Sequence, residues 1–488
     1  LPLPPELSHV QAFYDKPDAA PFALFHRFRH FGYSFEHIAR RAREAAAPLV
    51  GISALCTPYA EEALAAAAAI KTLHPAGRIV MGGHHATLLP ESLLAAPAVD
   101  FVLRGEGEVS LPLLAHCLRT GGELRAVPGI CFRRPDGTLF IGKPAVMERL
   151  EEFPPPALDL LDLAYYRRGG RGSAVVAAGR GCPFTCSYCS VGRDSWIPYR
   201  LRPAAAVAAE VETAVTRQAA AFIDFEDENL ALDRAWFLDL LRRIEARFGG
   251  RGIELRAMNG LFPPTLDEEI VAAMARSGFK ALNLALVATH PEQLERFKRR
   301  DVRAAFDRAL SLAEANGMSA VGYVIVGAPF QEPDPSVADL LFLAARRVLA
   351  GVSVFYPAPG SRDYETCREL GLLPRRFGAM RASALPIEHT TRRIESVTLL
   401  RLGRILNFMK QLIDRGLALP APTPEDNSPL DPADRLATGR RLLARFLADG
   451  RIRGITPDGD VYDHLASPDL VRKFIDGLGK ITLRGALR

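Results

Sequence analysis

Three cysteines fall within eight residues, in the run Gly179-Arg180-Gly181-Cys182-Pro183-Phe184-Thr185-Cys186-Ser187-Tyr188-Cys189. Thiolates bind soft metals, so this clustering points to a metal or redox centre, and the odd total of seven cysteines speaks against a disulfide framework. A structural zinc normally takes four protein ligands, and no fourth Cys or His lies near this loop in sequence. Three thiolates on a four-iron cluster leave one iron open to a small ligand. Zinc stays as the alternative. The remaining cysteines, Cys56, Cys117, Cys131 and Cys367, are scattered in apolar or helical contexts and read as small buried residues.

The thiols must be held by something, and the pattern around them is strand and helix in alternation. Pro48–Ala54, Arg78–Gly82 and Val99–Gly105 read as strands, with helices at Ala60–Leu73 and Glu108–Leu118. Gly129–Arg134 and Thr138–Gly142, joined through Pro135-Asp136-Gly137, read as a closing hairpin. Leu150–Leu161, with Pro154-Pro155-Pro156, reads as a linker. A second series then offers Ser173–Ala178, Phe222–Phe225, Ile253–Met258, Ala281–Val287, Ala320–Val326 and Val352–Tyr356 as strands, apolar enough to be covered on both faces. Asp233 is an expected helix cap, Thr265 to Glu268 an expected capping box, and Gly278 a helix stop. The expected fold class is α/β: an open sheet over 1–145, a linker over 146–170, a six-stranded partial barrel over 171–365 and a mostly helical region over 366–488. The cysteine loop follows the barrel's first strand, on the face where active sites of such barrels collect.

At this point the chain resembles the radical S-adenosylmethionine (SAM) superfamily, whose hallmark CxxxCxxC has an aromatic residue before its third cysteine, here Tyr188. The resemblance implies a 4Fe-4S cluster on Cys182, Cys186 and Cys189, and SAM on the open iron, reductively cleaved to a 5′-deoxyadenosyl radical. Tyr188 is carried over with the motif as a cofactor contact. Position in the barrel suggests further SAM contacts: Glu226, Asp227 and Asn229 for the methionyl ammonium, although the family's Gly-Gly-Glu form is absent. Asn283 and Thr289 match the ribose position, and Ile325 and Gly327, in the run Gly322 to Pro329, the adenine position. Ser353 to Ser361 is an expected wall of the substrate pocket.

Residues 50–110 resemble the cobalamin-binding domain that precedes many such barrels, through Gly51 to Ser53, Met81 to Thr87 and Arg104 to Glu108. The resemblance lays a cobalamin tail on Ser53, Gly82, Gly83, Gly105, Glu106 and Gly107. No Asp-x-His-x-x-Gly occurs, so a histidine lower ligand is not expected, and His84 and His85 read as a polar strand-end turn. The family's first strand has no counterpart, since Leu1 to Pro5 resembles the loop after it. A longer N-terminus, or another segment filling the gap in the sheet, is therefore expected.

The balance of 61 basic against 56 acidic residues, net +5, argues against nucleic-acid binding, since Arg299–Arg300 and Arg376 make only short basic patches. No apolar run reaches ~18 residues and no signal peptide is evident, which predicts a cytoplasmic protein without a membrane span. The resulting reading is a radical SAM enzyme, cobalamin-dependent in methyl transfer to, or radical modification of, a small-molecule substrate. It would draw electrons from a reductant protein such as flavodoxin or ferredoxin. The alternatives are oxidation or cyclisation without cobalamin, the N-terminal domain serving as scaffold, and a non-catalytic iron–sulfur electron carrier or sensor.

Overall fold

In the N-terminal sheet β1 (Leu49–Ser53), β2 (Arg78–Gly82) and β3 (Phe101–Leu103) run parallel, and β4 (Ile130–Arg133) and β5 (Leu139–Ile141) follow antiparallel, in the order β1-β2-β3-β4-β5. This computed structural model describes residues 5–24, 31–161, 165–192, 194–424 and 430–487. Ile79, Val80 and Met81 of β2 are all buried because helices cover both faces. Helix Ala60–Leu73 lies on one and helix Gly107–Thr120 on the other.

The expected gap in this sheet does not exist. β1 pairs directly with β2, from Leu49 opposite Arg78 to Ser53 opposite Gly82, so each satisfies the ladder groups that a missing neighbour would have left open. The N-terminal segment also departs from the expected unit of 1–145. Leu7, Val10, Ala20, Phe22 and Leu24 pack in the large core of the barrel and C-terminal helices. Asp18 accepts from the Ile455 backbone and pairs with His464.

The hairpin strand β6 (Arg167–Arg168) pairs antiparallel with β7 (Arg171–Val176), and the two-residue strands β8 (Gly179–Arg180) and β9 (Arg200–Leu201) pair antiparallel with each other. β7, β10 (Ala220–Phe225) and β11 (Glu254–Arg256) are parallel neighbours, as are β12 (Ala281–Val287), β13 (Ser319–Val326) and β14 (Leu349–Val354). Bridges Leu255–Phe279 and Leu261–Leu284 join the two groups into the six-stranded partial barrel. Burial along β13 alternates rather than being continuous. Ala320, Val324 and Val326 meet the outer helices, while Val321, Tyr323 and Ile325 stay half-buried on the inner side. The expectation of two fully covered faces fails on the inner side, where the outer helices do not reach.

Asp233 caps helix Arg234–Phe248, and Gly278 ends helix Glu268–Ser277 with a φ of +116°. The expected capping box from Thr265 to Glu268 is replaced by a single N-cap. Asp267, not Thr265, accepts from the Ile270 backbone, because a carboxylate suits the positive helix N-terminus. Helices Arg393–Asp414, Arg435–Asp449 and Pro468–Leu478 share the barrel's core, with a small hairpin of β15 (Arg453–Ile455) and β16 (Val461–Asp463) between the last two. No helix among the described residues is long and apolar enough to cross a membrane.

Candidate functional site

The loop bearing the three thiols is closed at its base by the β8–β9 pair. Gly181 has a φ of +78°, and a Cβ there would lie 2.4 Å from the Pro198 carbonyl oxygen, so only glycine lets the loop's two ends pass. The middle of the loop is tied to the barrel. Ser187 donates its N–H to the Phe297 carbonyl and its hydroxyl to Asp363, while Tyr188 stacks edge-on against Phe297 at 5.1 Å. Cys182 is buried, Cys186 and Cys189 are half-buried, and the three thiols lie within range of one another's charge. Burial pushes Cys182 up and Cys189 to about 11, with the neighbouring thiols adding to the rise, so metal binding at neutral pH has to displace protons.

Among the described residues no three Cys, His, Asp or Glu side chains converge as a single ion requires. One zinc would draw thiolate sulfurs to about 3.8 Å, given Zn–S bonds of ~2.3 Å, whereas a four-iron cluster takes one thiolate per iron and spreads them wider. Beside the thiols lies a group that the sequence showed only as part of a short basic patch. Arg299 packs against the rings of Phe184 and Phe262, at 5.6 and 5.0 Å, which meet each other edge to face, and it donates to Cys186 Sγ at 3.5 Å. Its Nη2 is buried without a partner, an orphaned cationic donor beside the thiols that fits an electron-rich cluster. A basic pair in sequence carries no mark that one member turns inward.

The position-matched SAM residues separate into two groups. Glu226 is exposed on the lumen side beyond β10, where Asn259 Nδ2 donates to its carbonyl at 3.1 Å and its carboxylate at 3.3 Å. Asp227 turns away, is buried, and accepts the Ala178 N–H at 3.0 Å; burial raises it to about 6. Asn229 is buried with an unpartnered Oδ1. Glu228, passed over in the sequence, lies within charge range of Cys182 and Cys189 and is raised by burial to about 7. Asn283 accepts from the Tyr323 hydroxyl inside the barrel, and Ile325 packs near Tyr188. Thr289 and Gly327 serve the scaffold: the first donates N–H and hydroxyl to Asp339, and the second, at φ +77°, makes room for Ser396.

On the N-terminal sheet, Ser53 and Gly82 end neighbouring strands on the edge that faces the barrel, and Gly107 opens a helix with free space around it. Gly83 and Gly105 are enclosed by the protein's own backbone. A Cβ on Gly83 would meet Ala54 at 2.9 Å, and one on Gly105 would meet the Ala145 oxygen at 2.1 Å. Glu106 is committed to arginines of the barrel domain. His84 reaches across to Ser190, with Nε2 and Oγ 2.9 Å apart. A cavity of about 430 Å3 lies between the two domains, lined by Leu55, Tyr59, His84, Val191, Tyr356 and Met380 among others. Leu55, Tyr59 and Tyr356 are each about half exposed there or more, an apolar crevice at the end of the sheet that fits a flat ligand.

His85, by contrast, is wholly buried between the hydroxyls of Thr57 and Ser92, both at 3.1 Å, and burial lowers it to about 4. An unfolded histidine titrates near 6.5, so between pH 6.5 and 4 the unfolded chain binds the extra proton and gains on the folded one. The stability of the N-terminal sheet is therefore expected to fall across that window. Urea midpoints at pH 7 and 4.5 should differ less in His85→Gln than in the parent; equal differences would show that His85 does not titrate this way.

Two family models match the chain: the B12 binding domain over residues 24–115 and the Radical SAM superfamily over residues 176–342. An uncharacterized methyltransferase of Pyrococcus horikoshii, PH0819, is 26% identical over 334 residues, covering 68% of this chain and 72% of that protein. The anaerobic magnesium-protoporphyrin IX monomethyl ester cyclase of Rubrivivax gelatinosus is 29% identical over 57% of this chain, which spans about half (51%) of that relative's length. The solved structure of the radical SAM methyltransferase TsrM from Kitasatospora setae, with cobalamin and a 4Fe-4S cluster bound, superposes with a TM-score of 0.58 at 21% identity. The superposition covers 69% of this chain and 67% of that one. The thiol loop falls within the second match and β1 to β3 within the first, so the chain joins a B12-binding domain to a radical SAM domain.

Proposed function

We propose that this chain catalyses cobalamin-dependent methyl transfer to, or a related radical modification of, a small molecule bound between its two α/β domains. The observation that carries the reading is the apolar crevice of about 430 Å3 that brings Leu55, Tyr59 and His84 of the sheet domain against Val191 of the thiol loop and Tyr356 beyond β14. When bound, the cluster and SAM would supply reductive radical generation, and the corrinoid a methyl carrier. The residues' own tasks are simpler. Cys182, Cys186 and Cys189 hold the cluster, and Arg299 offsets its negative charge. Glu226, steadied by Asn259, presents a carboxylate to the SAM ammonium. The crevice walls exclude water from the reacting atoms. Electrons would come from a flavodoxin- or ferredoxin-type donor.

Anaerobic reconstitution followed by one spectrum, read for iron–sulfur and corrinoid bands together, tests the reading, with equilibrium dialysis of hydroxocobalamin as its quantitative arm. A folded chain that takes up its cluster but retains no corrinoid moves the reaction to radical oxidation or cyclisation without cobalamin. That second reading draws support from Gly83 and Gly105, whose missing side chains are accounted for by Ala54 and Ala145 alone. For SAM, Glu226→Gln is expected to weaken binding by roughly 1.5–3 kcal/mol, the scale of a charged hydrogen bond, while leaving the iron content intact. Isothermal titration with SAM checks it. Unchanged affinity would return Glu226 to a solvated loop.

A further inference from the structure

The Arg104 to Glu108 stretch aligns with a cofactor-binding domain, yet its buried side chain points at the other domain. Glu106 is almost wholly buried, and every hydrogen bond of its carboxylate leads away from its own sheet. Arg180 Nη1 donates to its Oε1 at 2.7 Å, Arg200 Nη1 to Oε2 at 2.9 Å and Arg200 Nη2 to Oε1 at 3.0 Å, and the Met147 N–H donates to Oε2. Arg180 and Arg200 face each other across one rung of β8–β9, the ladder that closes the thiol loop. Glu108 takes the second Arg180 nitrogen. The backbone contributes as well: Glu106 N–H donates to Ala145, and Ala145 N–H to Arg104.

We infer that Glu106 is a positioning residue for the cluster: from the N-terminal domain it grips both arginines of the β8–β9 rung and thereby sets the place of Cys182 against Cys186 and Cys189. Two guanidinium groups and a backbone amide leave the buried carboxylate no slack, so the rung moves only with the whole N-terminal domain. Cys182 stands two residues beyond Arg180, whereas Cys186 and Cys189 are tied to Phe297 and Asp363 through Ser187. The three ligands are thus anchored from opposite sides, and loosening one anchor changes their mutual spacing. The gripping glutamate and the corrinoid-type sheet are one continuous piece, which ties cluster geometry to the placement of that domain.

This inference rests on the cluster reading above, and the experiment separates the two. Glu106→Gln, Arg180→Gln and, as a control, Glu61→Gln are reconstituted anaerobically as full chains. Glu61 forms a bidentate bridge of its own, from the N-terminal domain to Arg376 of the C-terminal region at 2.9 Å, instead of to the β8–β9 rung. Iron is counted, and the EPR spectrum of the reduced cluster is recorded with and without SAM, together with its midpoint potential. The parent and Glu61→Gln should hold four irons and show the same SAM-induced change. Glu106→Gln and Arg180→Gln should hold iron but show the same altered spectrum, with the SAM-induced change at least halved. The two variants remove charges of opposite sign. Opposite potential shifts on unchanged spectra would therefore mean a field effect and overturn the positioning role, as would a Glu106→Gln spectrum that overlays the parent. If Glu106→Gln fails to fold, Arg180→Gln, whose side chain is a third exposed, decides alone. A parent that binds no iron overturns the cluster reading and this inference together.

Discussion

Alanine in place of Cys182, Cys186 or Cys189, one at a time, is expected to abolish SAM cleavage, with 5′-deoxyadenosine falling at least ~100-fold, because a cluster that has lost one of three thiolates loses an iron or does not assemble. The folded chain should survive the change. Cys186 and Cys189 are half-buried in an irregular loop and fill little core volume, so each substitution should cost within about 1 kcal/mol of stability. Circular dichroism with product chromatography under dithionite separates the two effects. Full product formation by any one variant, with its fold intact, would remove the cluster assignment.

Gly105→Ala should be the most damaging single methyl group in the N-terminal domain. Its Cβ would fall 2.1 Å from the Ala145 oxygen and 2.5 Å from the Ala145 nitrogen, both backbone atoms that cannot rotate aside, at a φ of +84°. Left-handed strain of ~1–3 kcal/mol and a comparable overpacking term of ~1–3 kcal/mol sum to roughly 2–6 kcal/mol. The segment it would displace also presents Met147 to Glu106, so the loss should spread to the domain interface. Gly107→Ala makes the contrast. It opens helix Gly107–Thr120 with no atom within 4 Å of its Cβ, and should be neutral or stabilising by up to ~1 kcal/mol. Denaturant titration of both variants tests the pair. Equal stabilities would mean that the Ala145 strap does not constrain Gly105.

Position along the chain carried part of the site into view. The CxxxCxxC run, its placement after β7, and Glu226 after β10 follow from local spacing and strand period, and those local rules are what a sequence displays directly. Orientation did not follow. Asp227, one residue beyond Glu226, was an equal candidate, but past the end of β10 the chain turns it to the Ala178 N–H. Arg299 read only as half of a short basic pair, and the fold sets it against Phe184, Phe262 and Cys186.

The sequence by itself determined the two α/β series, the thiol loop between strand and helix, and the glycine and aspartate stops, because these depend on neighbours within a turn or a pleat. Only the tertiary structure decided three things. It paired β1 with β2 where a missing strand was expected. It drew residues 7–24 into the barrel core. It turned Glu106 from a cofactor loop into a grip on Arg180 and Arg200. Each of these is a contact between residues far apart in sequence, chosen by which buried backbone group or charge would otherwise go unpaired, and that choice exists only once the chain has closed on itself.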